Sequence, residues 1–366
     1  MKVYVTQPDL PPIDDFMPYL SKIWENKILT NGGPFHQQLE QELQVYLQAD
    51  QVSLFSNGTI ALIVALQALE ITGEVITTPF SFVATCHSLI WRNLTPVFVD
   101  IDPKTFNIDP KKIEEKITSK TSCILPVHCY GNPCELEAIE KIAQQHHLKV
   151  IYDAAHAFGV KSPSQNLFRF GDLSVLSFHA TKVFNTFEGG AIISHSPEMK
   201  KRIDLLKNFG ISNETTIDEV GINGKMNEVQ AAFGVLQLKR IEESILKRKQ
   251  VHDLYMTYLA DIQGVNCFQY QSKWTQNYSY FPILITKEYP ISRDDLYEKL
   301  KEHDIFSRRY FYPLISNLST YSHIKSASLE NLPNANLISN QVICLPLYAE
   351  LKKEEITKIA EIIRQK

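Results

Sequence analysis

The chain has 366 residues, 44% of them hydrophobic and 21% charged, with a net charge of -4 and both signs interspersed. This is the make-up of an ordinary globular protein, which excludes a disordered chain; the lack of a basic patch excludes a dedicated nucleic-acid binder. No apolar run reaches the ~18–20 residues of a membrane helix, and residues 1–8 lack the apolar core of a signal peptide. The six cysteines show neither a disulfide framework nor a zinc spacing, so they read as reduced thiols of a cytoplasmic protein.

In chain order, Phe35, Leu39, Leu43 and Leu47 recur every fourth residue and predict one apolar helix face. From about 50 to 195, short β-branched runs alternate with helical patterns. Strands are predicted at 52–55, 74–78, 96–100, 122–127 and 149–153, with helices at 61–69, 82–91, 111–117 and 135–147. Strands separated by helices of this length imply a mostly parallel sheet covered on both faces, an α/β fold. One long helix is expected over 225–260. Beyond 280, strands at 280–285, near 305 and at 342–345 and helices at 293–302 and 353–363 outline a smaller α+β domain. The length suits this division into a large domain, 1–240, and a small one, 241–366. No internal repeat is visible, which excludes a solenoid.

Three windows carry chemistry. In Ser177-Phe-His179-Ala-Thr-Lys182-Val-Phe-Asn185-Thr-Phe-Glu188-Gly189-Gly190, one lysine follows a buried-looking strand inside a polar loop. A lysine kept partly desolvated has a lowered pKa and attacks a carbonyl as the free amine; the bland alternative is a solvated loop lysine. In Tyr152-Asp153-Ala-Ala-His156, an apolar strand ends in an aspartate, at the sheet edge where ligands of parallel sheets lie. Asp153 suits protonation of a pyridine nitrogen, as in pyridoxal phosphate, but also a plain turn cap. In Ser56-Asn57-Gly58-Thr59, a strand passes into a helix whose first N–H groups can hold an anion, or simply cap a turn. Phe82, after the next strand, suits either a cover over a flat ring or ordinary core. Taken together, a phosphate cradle, an aromatic, a carboxylate, a second hydroxyl at Ser177 and a lysine, all at strand ends, describe a fold-type I pyridoxal phosphate enzyme.

Over nearly its whole length the chain resembles the DegT/DnrJ/StrS family of nucleotide-sugar aminotransferases. The resemblance rests on Thr30-Asn-Gly-Gly-Pro34, the three windows, Gly221-Ile-Asn223-Gly-Lys225-Met226, Tyr312-Pro-Leu314 and Leu345-Pro-Leu347. It implies the aspartate aminotransferase-like fold. It also implies that Lys182 joins the cofactor and moves protons, Asp153 pairs with the pyridine nitrogen and His156 reaches the ring hydroxyl. Gly58, Thr59 and Ser177 would hold the phosphate, Phe82 would cover the ring, and Asn223 would reach the phosphate from a neighbouring subunit, making a homodimer. Relatives often carry Arg where this chain has Lys225, whose role stays open.

The substrate contacts implied are Thr30, His179, Asn185, Arg308, Arg309 and Tyr310. The adjacent arginines suit a diphosphate, though they also suit a solvated surface. Within the family, the motifs are most similar to the branch that converts dTDP-4-keto-6-deoxy-D-glucose and L-glutamate to dTDP-4-amino-4,6-dideoxy-D-glucose and 2-oxoglutarate. Pyridoxamine phosphate is the intermediate cofactor form, and the product serves deoxyaminosugar biosynthesis, with an O-antigen as the expected destination. Alternatives are a 3-amino, UDP- or GDP-sugar aminotransferase of the family and, from another class, a non-catalytic binding or regulatory protein. Lys182 argues against the dehydrating branch, which carries His there.

Overall fold

The computed structural model describes residues 2–365. A short strand β1 (Val3–Tyr4) precedes helices α1 (Ile13–Asn26) and α2 (Pro34–Leu47). Next come β2 (Gln51–Phe55), α3 (Gly58–Ala68), β3 (Glu74–Thr77), α4 (Ala84–Trp91) and β4 (Thr95–Phe98). The series continues with β5 (Thr121–Leu125), α5 (Leu136–His146), β6 (Lys149–Asp153), β7 (Leu173–Ser177) and β8 (Gly190–Ser194). These strands form a seven-stranded sheet in the order β2-β8-β7-β6-β5-β3-β4. Only β8 runs antiparallel to its neighbours. Two apolar clusters cover the two faces, one centred on Leu39, Leu43, Tyr152 and Phe178, the other on Leu62, Ala65, Ile151 and Val175. This is the mostly parallel α/β sheet that the alternating pattern implied.

Two predicted helices differ. The segment at 111–117 forms two 3-10 turns, Pro110–Lys112 and Glu114–Lys116, because it carries charged residues on nearly every side and buries only Ile113. After α6 (Pro197–Leu206) and the exposed hairpin β9 (Ile211–Asn213) and β10 (Thr216–Ile217), the long helix is two, α7 (Glu228–Leu238) and α8 (Ile241–Leu259). Asn227 and Gln230 close a capping box that starts α7 three residues later than composition suggests.

The C-terminal part adds β11 (Val265–Cys267), β12 (Phe281–Ile285), α9 (Arg293–Glu302), β13 (Ile305–Phe306), α10 (Pro333–Gln341), β14 (Val342–Leu345) and α11 (Lys353–Arg364). β11, β12 and β14 make an antiparallel sheet against α8 and α11. β1 pairs in parallel with β13, so the N-terminus returns to this part and Val3 joins its core.

Candidate active site

A cavity of about 250 Å³ opens beyond the carboxyl ends of the parallel strands, where ligands of such sheets bind. The N-terminus of α3 forms one wall. Asn57 caps that helix by accepting from the Ile60 amide (2.9 Å), leaving the first-turn N–H groups of Gly58 and Thr59 at the cavity. Ser177, the last residue of β7, lies directly behind. A Cβ on Gly58 would meet the Ser177 Cβ at 3.0 Å, and a Cβ on Gly190 would meet the Gly58 nitrogen at 2.8 Å. Glycine at both places therefore lets the helix end, the strand end and the Glu188-Gly-Gly190 turn converge on one spot suited to an anion.

Asp153 ends β6 and is buried. Thr85 Oγ1 donates to its Oδ2 (2.8 Å) and the Ala155 amide to its Oδ1 (3.2 Å). Burial pushes its carboxyl above the ordinary range, while those donors and the Lys182 charge pull it back. Among the described residues it has no ion-pair partner. Lys182 lies in the loop after β7, its amide bonded to the His179 carbonyl (2.8 Å) and its Nζ 3.3 Å from the Tyr280 hydroxyl. Burial lowers its pKa from 10.5 to about 8, with Asp153 opposing, so far more of it is free amine near neutral pH than of an ordinary lysine.

His156 is buried, and the Tyr130 amide donates to its Nδ1 (3.3 Å). That bond places the ring proton on Nε2, leaving a neutral imidazole whose pKa burial lowers further. The ring stacks on Phe311 and meets Tyr280 edge-on. His179 borders the cavity, with Nδ1 against the Thr181 hydroxyl and Nε2 3.4 Å from Glu188. Phe82 is 58% exposed at the cavity rim, which removes the ordinary-core reading.

Of the remaining sequence candidates, only Tyr310 lines the cavity. Thr30 is exposed, and the Gly-Gly-Pro turn after it serves to start α2. There the Glu228 carboxylate accepts from the amides of Phe35 (2.9 Å) and His36 (2.8 Å), and a Cβ on Gly33 would lie 2.6 Å from Glu228 Cδ. Asn185 is buried and accepts from the Phe187 amide. Arg308 is exposed, and Arg309 pairs with Asp294 (2.6 Å). Asn223 is exposed, in a backbone bridge with Asn208. Sequence reasoning missed Ser81, Thr85, Tyr280 and Phe311 at the cavity. Thr85 was open to detection as a hydroxyl one helical turn from Ser81; Tyr280 and Phe311 carried no local signal.

The whole arrangement can hold an anion at α3, a flat ring against Phe82, and a proton-bearing ring nitrogen at Asp153. The chain matches the DegT/DnrJ/EryC1/StrS aminotransferase family over residues 13–364. It belongs to that family. An Escherichia coli dTDP-4-amino-4,6-dideoxy-D-glucose transaminase is 55% identical over 362 residues, 98% of this chain and 97% of its own. Among solved structures, DesI, crystallised in the presence of its TDP-sugar product, superposes with a TM-score of 0.94 at 32% identity, covering 99% of this chain and 92% of its own. The Streptococcus pneumoniae protein Spr1654, in its PMP form, shares the fold, with a TM-score of 0.92 at 24% identity over 100% of this chain and 97% of its own. The aminotransferase fold-type I architecture is therefore that of this chain. Among its described residues no helix is long and apolar enough to cross a membrane.

Proposed function

We propose that the chain is a pyridoxal phosphate-dependent aminotransferase that converts dTDP-4-keto-6-deoxy-D-glucose and L-glutamate to dTDP-4-amino-4,6-dideoxy-D-glucose and 2-oxoglutarate. The observation that carries this is a lysine with a depressed pKa sharing one cavity with an unpaired buried aspartate and an open helix N-terminus. The residues fit the cofactor. Gly58, Thr59 and Ser177 would hold the phosphate, Asp153 the pyridine nitrogen, His156 the ring hydroxyl through its Nε2 proton, and Phe82 the ring face. When bound, pyridoxal phosphate supplies the carbonyl that takes the amino group and the ring that accepts electrons.

With the cofactor bound, Lys182 would hold it and, once freed by the donor amine, would take the α-proton of glutamate as a free base and place it on the cofactor carbon that carries the nitrogen. In the second half-reaction it would take a proton back from that cofactor carbon and give it to the sugar carbon. Asp153 would keep its negative charge towards the ring nitrogen and His156 would stay neutral. The choice of C4 of a dTDP-linked sugar rests on the 55% identity to the E. coli transaminase. His179 and Tyr310, both at the cavity, are the substrate contacts favoured by this geometry; Thr30, Asn185, Arg308 and Arg309 lie away from it within one chain.

A homodimer belongs to this reading. Phe209, Ile211, Ile217, Val220 and Ile222 expose apolar side chains around the β9–β10 hairpin, Val220 at 90%, and a monomer rarely leaves such a run in water. A second copy seated there would bring Asn223 towards the phosphate of its neighbour. Residues 1–240 then form the cofactor-binding domain and 241–366 the small domain, to which the N-terminal strand contributes. The cytoplasm, where nucleotide sugars are made, is the expected compartment.

Purified protein given dTDP-4-keto-6-deoxyglucose and glutamate should form a product whose NMR spectrum shows an equatorial amine at C4. An amine at C3, or no product from protein that retains the cofactor, overturns the assignment of the sugar.

A further inference from the structure

Asp153 has no ion-pair partner among the described residues, and its Oδ2 meets a chain of two hydroxyls. Thr85 is 1% exposed and Ser81 4%, and their oxygens lie 2.8 Å apart. Thr85 has a single proton, which it gives to Asp153 Oδ2 at 2.8 Å. Its oxygen can therefore only accept from Ser81, which fixes the direction of the chain as Ser81 to Thr85 to Asp153. Both residues stand at the start of α4, where serine and threonine ordinarily cap the helix. Here no side chain caps α4, which begins after Val83; the two hydroxyls point to the carboxylate instead. The opposite oxygen, Oδ1, is held by the Ala155 amide, so each carboxylate oxygen has one donor and the group cannot rotate freely.

We propose that Ser81 and Thr85 form a hydroxyl relay that positions Asp153 and keeps it ionised towards the ring nitrogen of the cofactor. The inference deepens the function proposed above and rests on it for the identity of the ring. A hydrogen bond to an ionised acceptor is roughly twice as strong as a neutral one, and a donor that itself accepts a hydrogen bond is polarised to donate better. The other titratable groups facing Asp153 are Lys182 across the cavity, the Cys86 thiol beside Thr85, pushed well up by burial, and the neutral His156. Only Lys182 among them favours the charged carboxylate, and its nitrogen would be drawn into the bond with the cofactor. The relay remains in place through that change. Thr85 and Ser81 are thus positioning residues acting through Asp153.

Three variants test this: Thr85→Val, which keeps the shape and removes the hydroxyl; Thr85→Ser, which restores it; and Ser81→Ala. Two quantities are read for each, the pH titration of the Asp153 carboxyl by 13C NMR in full-length protein stripped of cofactor, and the dissociation constant of pyridoxal phosphate by fluorescence. In Thr85→Val the titration should move up by about one pH unit and the cofactor should bind about tenfold more weakly, since one unit is a tenfold change. Thr85→Ser should recover both to within about twofold, and Ser81→Ala should show a shift of the same sign and about a third the size. A Thr85→Val protein that titrates as wild type, or a Thr85→Ser protein no better than it, overturns the relay. If Thr85→Val fails to fold, Ser81→Ala decides alone, because Thr85 is then intact. Wild-type protein that takes up no pyridoxal phosphate would instead sink the proposed function, and the carboxyl titration would still judge the relay.

Discussion

On one side of the cavity Asp153, Ser177 and Gly190 are placed by the ladder itself, Asp153 opposite Val175 and Ser177 opposite Gly190 in the register of β6, β7 and β8. On the other side Tyr280, Tyr310 and Phe311 come from the C-terminal part and reach the cavity through packing of ring on ring and a few side-chain hydrogen bonds. A displacement of the strand-end groups would break backbone hydrogen bonds along the sheet, whereas the aromatic wall can adjust one side chain at a time. The contrast suggests a division of labour. A cofactor common to a whole family belongs on the rigid side, and a substrate that varies between relatives belongs on the adaptable one.

The strongest way to break that division is at Lys182. Lys182→Ala removes the only amine among the described residues at the cavity, the group that would both hold the cofactor and carry the proton. Turnover should fall by at least ~10²–10⁴-fold, the usual contribution of such acid–base help. Steady-state rates near wild type would show that chemistry does not depend on the strand-end side at all.

The charge state of the same residue gives a second test. Reductive methylation of cofactor-free protein, followed residue by residue by mass spectrometry, should label Lys182 with a midpoint near pH 8, below the other lysines, whose ordinary value is 10.5. The linked stability has a definite sign. Between about pH 8 and 10.5 the unfolded chain keeps a proton on this lysine that the folded chain has released, so the contribution of Lys182 to stability rises with pH across that window. Lys182→Met should flatten that rise. Labelling with the pH dependence of a surface lysine would mean the cavity is wetter than its walls imply.

Gly58 probes the fit of the phosphate wall. In Gly58→Ala the new methyl would press on Ser177 at 3.0 Å, forcing the strand end or the helix end to give. The expected result is cofactor affinity lowered by about tenfold, as a tight-site overpacking of 1–3 kcal/mol implies, with little change in the rate of the protein that remains loaded. Unchanged affinity would show that this wall yields as readily as the aromatic one.

The same contrast explains what could be read from the sequence. A strand such as 149–153 is a continuous apolar run that ends in a charged residue, and parallel topology alone puts that residue at the ligand edge. The lysine loop and the Ser-Asn-Gly-Thr turn were legible for the same reason, since each is local to one strand end. Thr30 and Asn185 were named for their place in motifs, yet Gly32-Gly33-Pro34 turns out to shape a helix start under Glu228, and Asn185 to hold its own loop. Tyr280 could not be found at all, because a tyrosine beside an apolar strand looks like core until the fold brings Lys182 to within 3.3 Å of its hydroxyl.

The smallest expected effect lies at the arginine pair, where the sequence offered a diphosphate site. Arg308 is exposed and its backbone bridges to Cys344. Arg309 donates to Asp294 at 2.6 Å, with its guanidinium 4.4 Å above the Tyr297 ring and 5.3 Å from that of Tyr312. One of its donors, Nη1, and its flat face are thus already engaged on the outside of the small domain. An exposed pair of this kind contributes about 0–1 kcal/mol and the ring contact about as much. Arg309→Ala should therefore lower the melting temperature by a few degrees at most and change KM for the nucleotide sugar less than about twofold. A KM raised tenfold or more with unchanged stability would place Arg309 on the substrate. The adaptable side of the cavity would then extend across the face of α9, and the guanidinium would have to leave Asp294 when the sugar binds.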